Sequence, residues 1–140
     1  MTTESAHRNV TVRRIANGQF TVTNARGGKI TLGSGETDFN PVELLLAAIG
    51  GCTAIDVDIV TSRRAEPDAF EVLVDAEKVR DEAGNHLTDI EVTFRIAFPR
   101  GAQGDEARAV LPDIVQKSHD RLCTVSRTVE LGTPVATRIE

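Results

Sequence analysis

Cys52 and Cys123 are the only thiols in the 140-residue chain, and they stand 71 positions apart. A cysteine does redox or nucleophilic chemistry as its thiolate. At neutral pH that requires a neighbouring cation or a helix N-terminus to bring the thiol below its ordinary pKa of about 8.5. Without C-x-x-C spacing the two do not form a thioredoxin-type motif, so any pairing must be made by the fold. In a reducing compartment a disulfide between them is expected to be transient and redox-linked rather than a staple. The plain alternative is packing, since free cysteine is among the most buried residue types.

The charged residues near these thiols matter next. Asp56 follows Cys52 by one helical turn, and an unpaired carboxylate there would raise the thiol pKa, so its use would be to orient an arginine or to cap something nearby. Glu43 precedes Cys52 by nine residues. On one continuous helix it points to the opposite side, and it can approach the sulfur only if residues 41–43 are still a turn. Arg13, Arg14, Arg26 and Arg127 are the candidate cations, and Arg127, four residues after Cys123, is placed to lower that thiol. Their plain reading is solvated surface charge. His119 lies four residues before Cys123, but zinc needs at least three protein ligands, and His7 and His86 have no reason to converge there. No metal or other cofactor is expected.

These residues are carried by elements legible from periodicity. Val10, Val12, Phe20 and Val22 alternate around an Asn17-Gly18 turn, with Ile30 and Leu32 in a third short strand, which predicts a small meander. The stretch from Val42 to about Arg64 is apolar around most of its circumference and predicts a helix buried inside a core. Pro41 suits its first turn, and Arg63-Arg64 its C-terminal end. Gly50-Gly51 either interrupts this helix, so that Cys52 begins a new one, or permits close packing of another backbone. Phe70, Val72, Val74 and Ala76, then Ile90 to Phe98, predict an antiparallel pair, followed by a helix opening at Gly104-Asp105 and bent at Pro112. A last strand is predicted within Thr128 to Ile139. The fold class is α+β in one domain, residues 1–140.

A formal net charge of -5 speaks against nucleic acid and against anionic membrane as partners, because both require clustered Lys and Arg. Five Phe with no Trp or Tyr leave no stacking platform for single strands. Gly33-Ser34-Gly35 lacks the Gly-Lys-Ser/Thr ending of a phosphate loop and reads as a connector. The first fifteen residues lack the apolar stretch of a signal peptide, so a cytoplasmic location is expected.

The run Asn40-Pro41-Val42-Glu43-Leu44-Leu45-Leu46-Ala47-Ala48-Ile49-Gly50-Gly51-Cys52, with Cys123-Thr124-Val125-Ser126 further on, resembles the two signatures of the OsmC/Ohr family, the osmotically inducible and organic-hydroperoxide-resistance proteins. The resemblance implies an α+β fold of antiparallel sheets packed around a long buried central helix, in an intertwined homodimer with active sites at the subunit interface. It further implies a cysteine-based peroxidase in which Cys52 is the peroxidatic thiol, Cys123 the resolving one, and an external dithiol the reductant. Well-known members place a glutamate directly after the proline to hold an arginine against the reactive cysteine. Here Val42 stands in that position and Glu43 follows it, a proline-any-glutamate pattern similar to a less characterised OsmC-like branch. Two functional readings follow. One is an organic hydroperoxide reductase of oxidative stress defence, with Cys52, Cys123 and Glu43 as its site. The other is a non-catalytic dimer binding a small apolar ligand or partner protein, with a Cys52 thiol near or above its ordinary pKa.

Overall fold

Alternating apolar residues and the left-handed turn at Gly18, φ 72°, fold the N-terminal segment into the expected meander. In the computed structural model, which describes residues 3–140, β1 (Val10–Ala16), β2 (Gln19–Asn24) and β3 (Lys29–Gly33) form an antiparallel sheet in that order. Val12 lies opposite Val22, Val22 opposite Ile30, and Phe20 opposite Leu32, so the apolar positions share a face. The chain divides into two compact units, an N-terminal one ending at Leu45 and a second of Leu46–Glu140.

Helix α1 (Pro41–Ser62) opens on Asn40, whose Oδ1 accepts the Glu43 N–H at 2.8 Å while Glu43 Oε1 accepts the Asn40 N–H at 2.9 Å. This reciprocal capping box satisfies two orphan donors and fixes the helix start at Pro41. The helix then runs unbroken through Gly50-Gly51, so Cys52 begins no new helix. A Cβ on Gly50 would fall 2.7 Å from Val74 Cγ2, and that glycine is where α1 presses closest to the strand carrying Val74. Past the end of α1, Arg64 donates to the Val60 carbonyl at 2.9 Å, which serves the C-terminal role expected for the arginine pair.

In the single chain α1 is buried along one face only. Ile49, Gly50, Thr53, Val57 and Thr61 are buried and, at spacings of three to four residues, form one stripe. Ile55 and Ile59 on the other side are 62% and 50% exposed in the single chain. By length and apolar content alone α1 could cross a bilayer. Its buried stripe is packed on protein and carries hydrogen-bonded threonines.

The second unit is built on a long hairpin, β4 (Ala69–Asp81) and β5 (Gly84–Ala97), with Phe70 opposite Ile96, Val72 opposite Phe94 and Val74 opposite Val92. This is the pairing the alternation implied. Helix α2 (Ala102–Lys117) runs through Pro112 and buries Ala107 against Phe98 and Ala65, with Ile96 and Leu111 beside them. It passes directly into a π-helical turn, Ser118–Leu122, and then a short helix α3 (Thr124–Glu130). The strand predicted within Thr128 to Ile139 is not formed. α3 occupies its start and ends at Glu130, with Gly132, φ 65°, in the turn just past it, and residues 133–140 adopt neither helix nor strand. Val135, Thr137 and Ile139 alternate as a strand would, but alternation makes a strand only where an edge is available to pair with it.

Candidate active site

Cys52 sits beside the buried stripe of α1, one residue from Thr53, and is partly exposed. Cys123 stands at the corner between the π-helical turn and α3 and is fully buried. The turn delivers it there, because the Cys123 N–H donates to the Ser118 carbonyl at 2.8 Å. Cys123 is then the N-cap of α3: its Sγ accepts the Ser126 N–H at 3.4 Å and lies 3.3 Å from the Ser126 hydroxyl. The cap thus uses a sulfur where an oxygen is usual.

The fold brings the two distant thiols into one neighbourhood, close enough that each shifts the other's acidity, and the Val125 amide acts on both. Their acidities part. Burial pushes the Cys52 thiol up, and Cys123 and the Asp56 charge push it further, against a partial opposing pull from the Val125 amide. Burial opposes ionisation of Cys123 as well. There the Ser126 hydroxyl and amide, the Cys52 thiol and the Val125 amide together outweigh it, and Cys123 falls below the ordinary thiol range. Of the two, the buried sulfur is therefore the readier to ionise, and the less acidic one is the one that reaches solvent.

The other residues singled out from sequence are placed as follows. Asp56 accepts a hydrogen bond from Ser118 Oγ at 2.7 Å, so it anchors a neighbouring segment. Glu43 is committed to the capping box in the first unit and pairs with no arginine among the described residues; with α1 already helical at Pro41, the turn that would have aimed it at the sulfur is not present. Arg13 reaches Thr23 Oγ1 at 3.4 Å, Arg14 lies opposite Phe20 in the meander, and Arg26 is in the turn after β2. Arg127 Nη1 is 3.9 Å from Glu130. The Ser126 hydroxyl and amide and the Val125 amide supply the polarity around Cys123. His119 is held between two carboxylates: its Nδ1 meets Asp120 at 3.0 Å and its Nε2 meets Glu130 at 2.7 Å.

Sequence reasoning missed Ser126, Ser118 and the Val125 amide. For Ser126 a signal existed, since a capping side chain with its partner three residues on is a helix-start pattern. Ser118 carries no local signal at all. Next to the thiol corner lies an open cavity of about 620 Å³, whose walls include Ile49, Thr53, Val92, Phe94, Ser126 and Val129. Ser126 thus touches Cys123 on one side and the cavity on the other.

A family model described as OsmC-like protein matches residues 33–138. Among curated proteins none matches the chain. Several solved structures share the fold. A hypothetical protein from Aquifex aeolicus VF5 superposes with TM-score 0.71 at 23% identity, covering 92% of this chain and 91% of that one. An OsmC-like protein of unknown function from Vibrio cholerae gives 0.70 at 15% identity over 90% and 95%. The organic hydroperoxide resistance protein OhrB of Bacillus subtilis gives 0.53 at 19% identity over 88% and 90%.

Proposed function

Since this chain belongs to the OsmC-like family, we propose that it is a thiol peroxidase reducing organic hydroperoxides through Cys52 and Cys123, as a homodimer in the reducing cytoplasm. The observation that carries this reading is that two thiols 71 positions apart are brought together, the buried one the more acidic and the other partly open to solvent. Ile55 and Ile59, exposed on α1, offer an apolar face for a second copy.

The chemistry follows from the division of labour. Cys52 attacks the terminal oxygen of ROOH while its proton passes to the neighbouring Cys123, acting as a thiolate. The O–O bond breaks, Cys52 becomes a sulfenic acid, and the leaving alkoxide takes a proton from Cys123 to give ROH. The restored Cys123 thiolate then attacks the Cys52 sulfur, the S–O bond breaks, the departing hydroxide takes a proton from solvent to leave as water, and the disulfide closes. An external dithiol attacks the more accessible sulfur, Cys52, and expels Cys123, the better leaving group. The cavity beside Ser126, largely apolar, favours a greasy R group over hydrogen peroxide. Mixing the reduced protein with cumene hydroperoxide should consume two thiols per chain and release the alcohol. A Cys52→Ser protein that still turns over peroxide overturns the assignment.

A second reading is favoured by the raised Cys52 thiol and the cavity: a non-catalytic module that holds a small apolar molecule. It predicts that an apolar fluorescent probe binds wild type and a Cys52→Ser, Cys123→Ser double variant equally, with no peroxide consumed by either.

A further inference from the structure

Ser118 is fully buried and bonded to both cysteine-bearing segments. Its hydroxyl donates to Asp56 Oδ2 at 2.7 Å and shares a 2.9 Å hydrogen bond with Thr53 Oγ1. A hydroxyl has one proton, so donation to Asp56 makes Thr53 the donor in the second bond. Thr53 adjoins Cys52 and Asp56 lies one turn beyond it; the side chain of Ser118 therefore grips α1 at the residue after Cys52 and again a turn later. Its main chain holds the other thiol. The Ser118 carbonyl accepts the Cys123 N–H at 2.8 Å, and the Ser118 N–H is tied to the carbonyls of Ile114 and Val115 at the end of α2.

That carbonyl bond spans five residues, which is the π-helical register, and relative to an α-helix it rotates the following residue by about 100° around the axis. A π-turn between α2 and α3 is thus what aims Cys123, and Ser118 is its first residue. For ionising Cys52 the Asp56 charge is adverse. For holding a buried hydroxyl it is the strongest kind of acceptor available.

Resting on the thiol-pair chemistry proposed above, we infer that Ser118, gripped by Asp56 and Thr53, is a positioning residue that sets the separation of the two sulfurs and so the effective concentration at which the Cys52–Cys123 disulfide closes. Nothing in the cluster touches a reacting atom. Its effect is read in the equilibrium between dithiol and disulfide.

The test is a redox titration of the full-length protein against dithiothreitol, with the disulfide quantified by alkylation and mass spectrometry, in wild type and in Ser118→Ala, Thr53→Val and Thr53→Ser. Losing the hydroxyl bonds in Ser118→Ala or Thr53→Val should lower the effective thiol concentration about tenfold, a rise in potential of about 30 mV. Thr53→Ser, which keeps the donor, should titrate with wild type. A merely structural role would lower the Tm of the variants and leave the potential unchanged. Potentials of Ser118→Ala and Thr53→Val indistinguishable from wild type overturn the inference; should Ser118→Ala not fold, the Thr53 pair decides alone. A wild-type protein that forms the disulfide with dithiothreitol but does not reduce cumene hydroperoxide removes the peroxidase reading and leaves the positioning result standing. One that forms no disulfide at any poise removes both.

Discussion

Cys52 and Cys123 share one neighbourhood, yet their surroundings push them in opposite directions. Burial disfavours both thiolates, so desolvation does not distinguish them. What does is the aim of the donors. Cys123 caps a helix and gathers the Ser126 amide, the Ser126 hydroxyl and the Val125 amide, whereas Cys52, mid-helix, has its own backbone amide spent within α1 and a carboxylate one turn away. Position within a helix thus decides acidity, and exposure decides reactivity. Because acidity favours one sulfur and access the other, neither thiol alone combines the two properties that the proposed peroxidase chemistry needs.

The sharpest break in this comparison is removal of the more acidic partner. Cys123→Ser takes away the base that receives the Cys52 proton and the nucleophile that closes the disulfide. Dithiol-supported turnover of cumene hydroperoxide should fall by about 10²-fold or more, measured in steady state, and turnover close to that of wild type would mean that Cys52 ionises unaided. A finer cut is Ser126→Ala, which deletes the hydroxyl but keeps the amide. Losing a hydrogen bond to a charged group costs about 1.5–3 kcal/mol, so the Cys123 titration should rise by roughly one unit or more, read from the pH dependence of its alkylation rate. That shift would narrow the contrast between the two thiols without abolishing it.

Much of what frames the pair was legible in the sequence. The alternation of Phe70, Val72 and Val74 against Val92, Phe94 and Ile96 gave the hairpin its register, and Asn17-Gly18 gave the meander its turn. Membership of the OsmC-like family was legible too, through the motifs around the two cysteines. What the sequence hid is of three kinds. The exposed side of α1 carries Ile55 and Ile59, apolar residues of the sort that line a core, so periodicity alone could not tell a helix buried all round from one buried on a single face. The π-turn at Ser118–Leu122 is one residue out of step with the α-helical pattern of α2, a shift too small to register in a hydrophobic period. The Ser118 to Asp56 bond joins residues 62 positions apart and exists only once α1 and the turn have packed.

Between the thiols and this hidden support stands Asp56, whose substitution separates its two effects. Asp56→Asn retains a carbonyl oxygen to accept from Ser118 but removes the charge that helps raise Cys52. The Cys52 thiol should become more acidic by a fraction of a unit, since burial and Cys123 remain, and the titration would bring the two thiols closer from the other side. An unchanged or higher Cys52 titration would show that Asp56 acts on the thiol through geometry and not through charge.

The smallest effect concerns the clamp across the Cys123 corner. His119 in the π-turn meets Asp120 through Nδ1 and Glu130 of α3 through Nε2, and the Asp120 and then the Glu130 hydrogen bond raise its pKa. A group raised in the folded state adds stability that is fully present below its unfolded pKa, about 6.5, and is lost as pH climbs through the higher folded value. The corner should therefore hold best under mildly acidic conditions and loosen toward alkaline pH, the direction in which thiolates become more abundant. Because the histidine is 53% exposed, the loss should stay within about 1 kcal/mol. Hydrogen exchange at the Cys123 amide, corrected for the intrinsic base-catalysed rate, should show protection declining through that window in wild type and flat in His119→Gln. A variant that keeps the wild-type slope would mean that α3 is held by its cap on Cys123 alone, and the acidity contrast between the two thiols would then persist unchanged at high pH.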